Sequence, residues 1–169
     1  MKTRLVKTSD LKEIVEIYNQ AIEDGDSTAD LTPFTVEEKI SWLNKHDGNP
    51  YSIFVAVDNG IAGYCSLSAY RPGREALTSA AEVSFFVRRN RRRQGVGRIL
   101  LRAALEQASY LDFETIFAIL LDVNTVSKKL LLSEGFSEWG YLPDIAKFPK
   151  HTYGQYILGK KVKKQKNNV

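Results

Sequence analysis

The segment VRRNRRRQGVGRILL, residues 87–101, decides the fold of this chain. It follows the apolar run AAEVSFFV at 80–87, which predicts a strand, and after Gly95 it takes on the spacing of an amphipathic helix. The start of a helix presents free N–H groups and the positive end of the helix dipole. A strand, a basic turn with glycines and a helix start therefore predict a site for a ligand that carries phosphate.

The glycines of this turn exclude two common phosphate motifs. Gly95 and Gly97 could begin a G-x-G-x-x-G dinucleotide fingerprint, but position 100 is Leu and the turn follows the fourth predicted strand instead of the first. A P-loop is excluded because the chain contains no Gly-Lys-Ser/Thr. The remaining pattern, RRQGVG at 92–97, matches R/Q-x-x-G-x-G/A, in which the backbone can curl so that successive N–H groups face a pyrophosphate.

Two other interpretations of the turn stay open at this point. It could be an ordinary solvated connection between a strand and a helix, or its arginines at 88–93 and 98 could meet the phosphates of a nucleic acid. No aromatic residues alternate with the arginines and no recognition helix is evident. We therefore expect no nucleic-acid partner.

The composition predicts one globular domain, residues 1–162, followed by a basic C-terminal tail at 163–169. The formal net charge of +4 is modest and is concentrated in the arginine segment and the tail. A single cysteine excludes a disulfide framework, and the two histidines are far apart in the sequence, so we expect no metal. No apolar run approaches the ~20 residues that span a bilayer, and we expect a cytoplasmic protein without a membrane partner.

Around the central segment, the hydrophobic pattern predicts the element order βααβββαβαββ. The predicted strands lie at 2–6, 51–57, 61–70, 80–87, 115–121, 136–143 and 151–162, and the predicted helices at 11–22, 36–43, after Gly95 and at 125–134. In the helix after Gly95, the spacing predicts that Val96, Ile99 and Leu100 are buried. The chain is therefore expected to have an α/β (α+β) fold with a mixed central sheet of about seven strands.

In this context of strand, turn and helix, the R-x-x-G-x-G motif resembles that of the GNAT superfamily of acetyl-CoA-dependent N-acetyltransferases. Within it, the chain is most similar to the phosphinothricin (amino-acid) acetyltransferase branch, over about residues 3–160. The segments that show this narrower similarity are Ile17-Tyr18-Asn19, Ala21-Ile22, Trp42-Leu43, Val55-Ala56, Gly63-Tyr64, Glu82-Val83-Ser84, Asn124 with Ser127, and Gly135-Phe136. The resemblance implies a sheet that splays apart between the fourth and fifth strands.

The resemblance also implies that acetyl-CoA binds in the splayed cleft as a co-substrate. The backbone of Phe85, Phe86 and Val87 would pair with the pantetheine arm as an added strand does. N–H groups of the turn would bind the pyrophosphate, and the turn residues concerned are Arg92, Arg93, Gln94, Gly95, Val96, Gly97 and Arg98. Asn124 and Ser127 would contact the pantetheine from the next helix, although Asn124 could equally be a plain N-cap.

Acetyl transfer from a thioester to an amine needs a base for the amine and a hydrogen-bond donor for the oxyanion. Glu82 is the candidate base, because the resemblance places a catalytic carboxylate at this position of an otherwise apolar strand. The alternative is a solvated carboxylate at the rim of the strand. An N–H near Phe86 or Val87 would be the oxyanion donor. Position 131 is Leu, where many members have a tyrosine that protonates the thiolate.

The acceptor side is predicted from the turn before the fourth strand and from the first helix. Arg74 matches an arginine expected to clamp a substrate carboxylate, with Arg71 beside it, although either could be a plain surface residue. Tyr18 and Asn19 would border the acceptor pocket, and Tyr18 could equally pack in the helix face. The expected acceptor is the amino group of a small amino acid or analogue, of the phosphinothricin, methionine sulfoximine or methionine sulfone type.

Other functions remain open on the acceptor side. The amine could belong to a polyamine, an antibiotic or a protein N-terminus, or the domain could bind acetyl-CoA without turnover as a regulator. Members of this branch commonly form dimers, and the last two predicted strands carry several aromatic residues. A homodimer is therefore the expected assembly.

Overall fold

A seven-stranded mixed sheet with helices on both faces forms the fold. The computed structural model describes residues 1–46 and 50–163. In these ranges the strands are β1 Lys2–Leu5, β2 Ile53–Val57, β3 Ile61–Ala69, β4 Ala80–Val87, β5 Thr115–Leu121, β6 Ser137–Lys147 and β7 Thr152–Lys161, and the α-helices are α1 Leu11–Asp24, α2 Val36–Asn44, α3 Val96–Tyr110 and α4 Thr125–Ser133. This confirms the predicted order of elements. Residues 164–169, which make up most of the predicted basic tail, lie outside the described residues.

Local signals set the ends of the first two helices. Gly25 ends α1 in the left-handed conformation, with φ of 68°, which glycine adopts at little cost. Thr35 and Glu38 form a capping box at the start of α2: the Thr35 hydroxyl accepts from the Glu38 N–H at 3.3 Å, and the Glu38 carboxylate accepts from the Thr35 N–H at 2.7 Å. Residues 25–35 form the loop that connects α1 to α2.

The strand order across the sheet is β1-β2-β3-β4-β5-β7-β6, and β4 and β5 are the parallel pair. They pair only where residues 80–82 meet residues 115–117. Beyond that point β4 continues along β3 as far as Val87, while β5 continues along β7 as far as Leu121. The two strands therefore diverge, as expected, and the edge of β4 at 83–87 is not paired with β5.

The helices pack on opposite faces of the sheet. One face receives α3 through Val96, Leu100 and Leu101, and the other receives α1 and α2. The expectation for Ile99 was wrong, because its side chain is 39% exposed whereas Leu101 is fully buried. In the described ranges, no helix combines the length and the apolar character needed to cross a membrane.

Candidate active site

The divergence of β4 and β5 opens a cavity of about 600 Å³ beside the start of α3. Its walls come from the end of β4, the turn before α3 and the start of α4. The residues predicted to bind the coenzyme that line this cavity are Phe85, Phe86, Val87, Arg92, Arg93, Gly95, Val96, Gly97, Arg98, Asn124 and Ser127. Gln94 is not among the lining residues; it is exposed and its side-chain amide donates to the Asn90 carbonyl at 3.2 Å. The fold thus brings nearly the whole predicted set together around one space.

The turn before α3 has the conformation that the glycines allow. Gly95 has a φ of 81° and Arg93 a φ of 60°, both in the left-handed region. A Cβ on Gly95 would meet nothing within 4 Å, so its dihedral angle is what calls for glycine. A Cβ on Gly97 would lie 3.2 Å from the Leu130 side chain, so Gly97 lets α4 approach α3 closely. Such alternation of left- and right-handed residues turns backbone N–H groups toward a common point.

Three arginines of the segment bind carboxylates of the protein and lie outside the cavity lining. Arg88 pairs with Glu13 of α1 at 2.8 Å, and Arg89 pairs with Asp24 of the same helix at 2.7 Å. Arg91 pairs with Asp58 in the turn between β2 and β3. These three residues do not line the cavity and instead attach α1 and the hairpin to the end of β4.

Three other arginines border the cavity. Arg92 pairs with Asp24 at 2.6 Å and Arg98 pairs with Glu134 at 3.2 Å, while Arg93 is in no ion pair with the described residues. Together with the start of α3, they place positive charge at one end of the space. That arrangement suits the phosphates of a bound coenzyme.

Asn124 is an N-cap, and its contact with pantetheine stays a prediction. Its side-chain oxygen accepts from the Ser127 N–H at 3.0 Å, which makes it the N-cap of α4, and it also lines the cavity. Leu131, in the same helix, is 1% exposed and belongs to the core. Position 131, where the resemblance implied a tyrosine, is therefore a packing position in this chain.

A second cavity of about 410 Å³ adjoins the first, and the two share Ser27 and Phe86. Its floor is one face of the β3–β4 pair, and its walls come from α1, α2, the loop between them, and one residue each of β5 and β7. The floor consists of alternate residues of the two strands: Tyr64, Ser66 and Ser68 on β3, and Glu82, Ser84 and Phe86 on β4. A partly polar pocket therefore meets the first cavity along β4.

Glu82 is the carboxylate of this second cavity. Its side chain is partly buried, and burial raises its pKa. No cation or hydrogen-bond donor among the described residues contributes to that shift. A carboxylate with a raised pKa and free oxygens can accept a proton from a nearby amine.

Tyr18 lines the second cavity and also packs in the core, so both interpretations of its position apply. Its hydroxyl donates to Asp30 at 2.5 Å and lies 2.9 Å from the Thr28 hydroxyl, and its ring meets Phe86 edge-on at 4.9 Å. Burial and the hydrogen bond to Asp30 raise the pKa of Tyr18 well above its usual range. The phenol is therefore neutral and connects α1 to the loop that covers the pocket.

Asn19 lines neither cavity, and its side chain binds the loop between α1 and α2. Its amide nitrogen donates to the Phe34 carbonyl, and its amide oxygen accepts from the Phe34 N–H, both at 2.9 Å. These two bonds hold Phe34 beside Tyr18, at a ring separation of 6.0 Å. A direct contact of Asn19 with the acceptor stays a prediction.

Arg71 and Arg74 are exposed and do not line either cavity. Among the described residues, the Arg74 side chain donates only to the Pro72 carbonyl, at 3.5 Å. The cation in the second cavity is Lys39 of α2, whose ammonium lies 3.6 Å from the centre of the Phe34 ring and 4.7 Å from that of Tyr18. Burial lowers the pKa of Lys39. Lys39 was not predicted from the sequence. It lies four residues after Thr35, the N-cap of α2, and its place in the cavity depends on how α2 packs.

The sheet splays between β4 and β5, a glycine-containing turn lies at the start of α3, and a partly buried carboxylate lies in the adjoining pocket. This combination is typical of acyl-transferring enzymes. The chain belongs to the acetyltransferase (GNAT) family, whose profile matches residues 11–136.

Individual relatives match most of the length of this chain. The chain is 34% identical to the "Putative phosphinothricin acetyltransferase YwnH" of Bacillus subtilis, over 96% of this chain and 99% of that protein. It is 30% identical to the L-methionine sulfoximine/L-methionine sulfone acetyltransferase of Pseudomonas aeruginosa, over 81% of this chain and 80% of that protein. The crystal structure of an N-acetyltransferase from Staphylococcus aureus superposes with a TM-score of 0.92 at 26% identity, covering 96% of this chain and 98% of that one.

Proposed function

We propose that this protein transfers the acetyl group of acetyl-CoA to the amino group of a small amino acid or amino-acid analogue. The observation that carries the proposal is the meeting of two cavities along β4, one at an anion-binding turn and the other around the partly buried Glu82. The names of the relatives, which include phosphinothricin and methionine sulfoximine acetyltransferases, support this class of acceptor.

The first cavity fits the chemical groups of acetyl-CoA. The turn at 92–98 would bind the pyrophosphate through N–H groups and the three bordering arginines. The β4 edge at 85–87, free of β5, would pair with the amide groups of pantetheine, with Asn124 and Ser127 on the opposite wall. When bound, acetyl-CoA supplies an acetyl thioester that an amine can attack.

Glu82 would prepare the amine for attack. An ammonium has no lone pair, so the acceptor must lose a proton before its nitrogen bonds to the acetyl carbon, and the carboxylate of Glu82 takes that proton. As the amide bond forms, the C–S bond would break and coenzyme A would leave as the thiolate. The nitrogen would lose its second proton in this step, to the departing thiolate or to solvent, so that the products are a neutral amide and coenzyme A. A backbone N–H near Phe86 or Val87, on the unpaired edge of β4, would donate to the oxyanion of the intermediate.

The acceptor would bind in the second cavity, beside Tyr18 and under the loop that Asn19 holds. In this proposal Arg71 and Arg74 bind the carboxylate of the acceptor from the exposed turn before β4. The positive charge of Lys39 in the cavity disfavours a polyamine, which it would repel.

We further propose a cytoplasmic homodimer. Strand β6 is one of the two edge strands of the sheet, and it exposes large apolar side chains: Trp139 is 45% exposed, Tyr141 45% and Ile145 54%. Apolar groups in a row on an edge strand are typical of a surface that another chain covers.

The proposal is tested by turnover of an acceptor panel with purified protein and acetyl-CoA. The panel includes phosphinothricin, methionine sulfoximine, methionine sulfone, the ordinary amino acids and spermidine. We expect release of coenzyme A with the amino-acid analogues and none with spermidine. Binding of acetyl-CoA without turnover of any amine would indicate a regulatory domain, and absence of acetyl-CoA binding in calorimetry would refute the enzyme assignment altogether.

A further inference from the structure

His46 is a buried histidine directly behind the wall of the second cavity. It follows the end of α2 and is 8% exposed. Its Nδ1 lies 2.8 Å from the carbonyl oxygen of Trp42, and its Nε2 lies 2.9 Å from the hydroxyl oxygen of Ser68. The proposed function gives this residue no role.

The two partners of His46 determine where its proton lies. A carbonyl oxygen can only accept, so Nδ1 carries the proton and donates to Trp42. Burial lowers the pKa of His46 and outweighs the hydrogen bond with Trp42, which raises it, so the ring is neutral at neutral pH. A neutral imidazole protonated at Nδ1 has a bare Nε2, which must accept a hydrogen bond from the Ser68 hydroxyl.

Ser68 connects this histidine to the cavity. It lines the cavity and stands directly opposite Glu82 in the β3–β4 register, an arrangement that brings the Cβ atoms of the two residues to about 5 Å on the same face. Because its single proton is donated to His46, the Ser68 oxygen offers only lone pairs to a ligand in the cavity. Ser68 and Glu82 thus form a pair of adjacent acceptors.

Two adjacent acceptors match the N–H bonds of an amine. They do not match a carboxylate or another group that can only accept, because the lone pairs would face one another. We propose that His46 fixes Ser68 as a hydrogen-bond acceptor, and that Ser68 and Glu82 together bind the amino group of the acceptor. Ser68 is then a substrate-binding residue and His46 a positioning residue. The substrate part rests on the proposed function, whereas the bond between His46 and Ser68 does not.

The tautomer of His46 is measured by ¹⁵N NMR, independently of catalysis. The chain has two histidines, so the substitution His151→Gln leaves His46 as the one imidazole in the spectrum. We expect a neutral ring protonated at Nδ1, with an Nε2 shift that moves in Ser68→Ala and stays in place in Ser66→Ala. Ser66 is the matched control, since it lies two residues away on the same strand and lines the same cavity. An imidazolium, or a ring protonated at Nε2, would overturn the proposal.

Steady-state kinetics test the substrate part. In Ser68→Ala and in His46→Phe, the KM for the amine should rise about tenfold, the effect of one lost hydrogen bond, while the KM for acetyl-CoA stays the same. Ser68→Thr keeps the hydroxyl and should restore the KM of the amine. An unchanged amine KM in Ser68→Ala refutes the substrate role. Absence of turnover by the unaltered enzyme refutes the proposed function and that role together, and the NMR result still decides the bond between His46 and Ser68.

Discussion

At the scale of single residues, the chemistry of the site depends on which polar groups are paired and which are free. The arginines at 88, 89 and 91 are paired with carboxylates of the protein, whereas the Glu82 carboxylate has no paired cation among the described residues. A paired group stabilises the fold, and an unpaired, partly buried one keeps its capacity to react. Glu82 therefore differs from the carboxylates that pair with these arginines, because it remains able to accept a proton from a ligand.

The activity should depend on the ionisation of Glu82. A base works in its deprotonated form, and burial raises the pKa of Glu82, so kcat/KM should fall as the pH drops through that raised pKa. In Glu82→Gln we expect a loss of about 10²-fold or more in kcat and no acidic limb in the pH profile. Glu82→Asp, which keeps a carboxylate, should keep the limb. A Glu82→Gln enzyme with the parental rate and pH profile would show that another group takes the proton.

At the scale of elements, the start of α3 combines a conformational requirement with the proposed binding of the pyrophosphate. Gly95 is left-handed without any crowding at its Cα, so the requirement is a matter of backbone dihedral angles alone. Gly73 has the same character, with φ of 80° and open space around it, but it lies in the exposed turn before β4. Substitution of Gly73 should therefore cause the same backbone strain as substitution of Gly95 without affecting the turn that is proposed to bind the ligand.

The substitution Gly95→Ala should lower both stability and affinity for acetyl-CoA. A left-handed alanine costs about 1 kcal/mol of the free energy of unfolding, and relief of that strain would turn the N–H groups of the turn away from the pyrophosphate. We expect binding of acetyl-CoA to weaken by about tenfold in calorimetry, with the stability change read from urea unfolding. Gly73→Ala should lose similar stability and keep its affinity. Equal affinities in the two variants would contradict an anion-binding role for the turn.

At the scale of the whole molecule, paired carboxylates make the fold sensitive to acid. Asp10 is 6% exposed, and its carboxylate accepts from Arg4 at 2.6 and 2.9 Å and from the Lys7 N–H at 2.7 Å. The hydrogen bond from Arg4 lowers the pKa of Asp10, and that from Arg102 lowers the pKa of Glu134. These groups tie β1 to the start of α1 and α4 to α3.

The free energy of unfolding should therefore decline in acid. A carboxyl group with a lowered pKa in the folded state stabilises the protein above its unfolded pKa of about 4, and that contribution is lost as the pH falls through the folded pKa. Asp10→Asn should cost about 1–3 kcal/mol at pH 7 and make the acid decline shallower in urea unfolding. Glu75→Gln, at an exposed position with no ion pair among the described residues, is the control. An unchanged acid decline in Asp10→Asn would exclude this carboxylate as a cause.

The features that the sequence predicted depend on neighbours along the chain. The turn at 92–97 could be recognised because a strand, two glycines and a helix follow one another within a few residues, and the capping box of Thr35 and Glu38 spans only three positions. The order of elements followed from the local hydrophobic period for the same reason. Even there, the choice of Leu101 over Ile99 as the buried residue depended on where the sheet lies against α3.

The tertiary structure decided which distant groups meet. The register of β3 against β4 places Ser68 beside Glu82, and the packing of α2 places His46 behind Ser68, 22 residues away in the chain. The same long-range packing pairs Arg88 with α1, 75 residues away, and keeps Arg71 out of both cavities. Hydrophobic periods and turn residues act over a few positions, whereas strand register and helix packing are set by the burial of the whole core. The glycine-containing turn at 92–97 could for that reason be predicted from the sequence, and the surroundings of the second cavity could not.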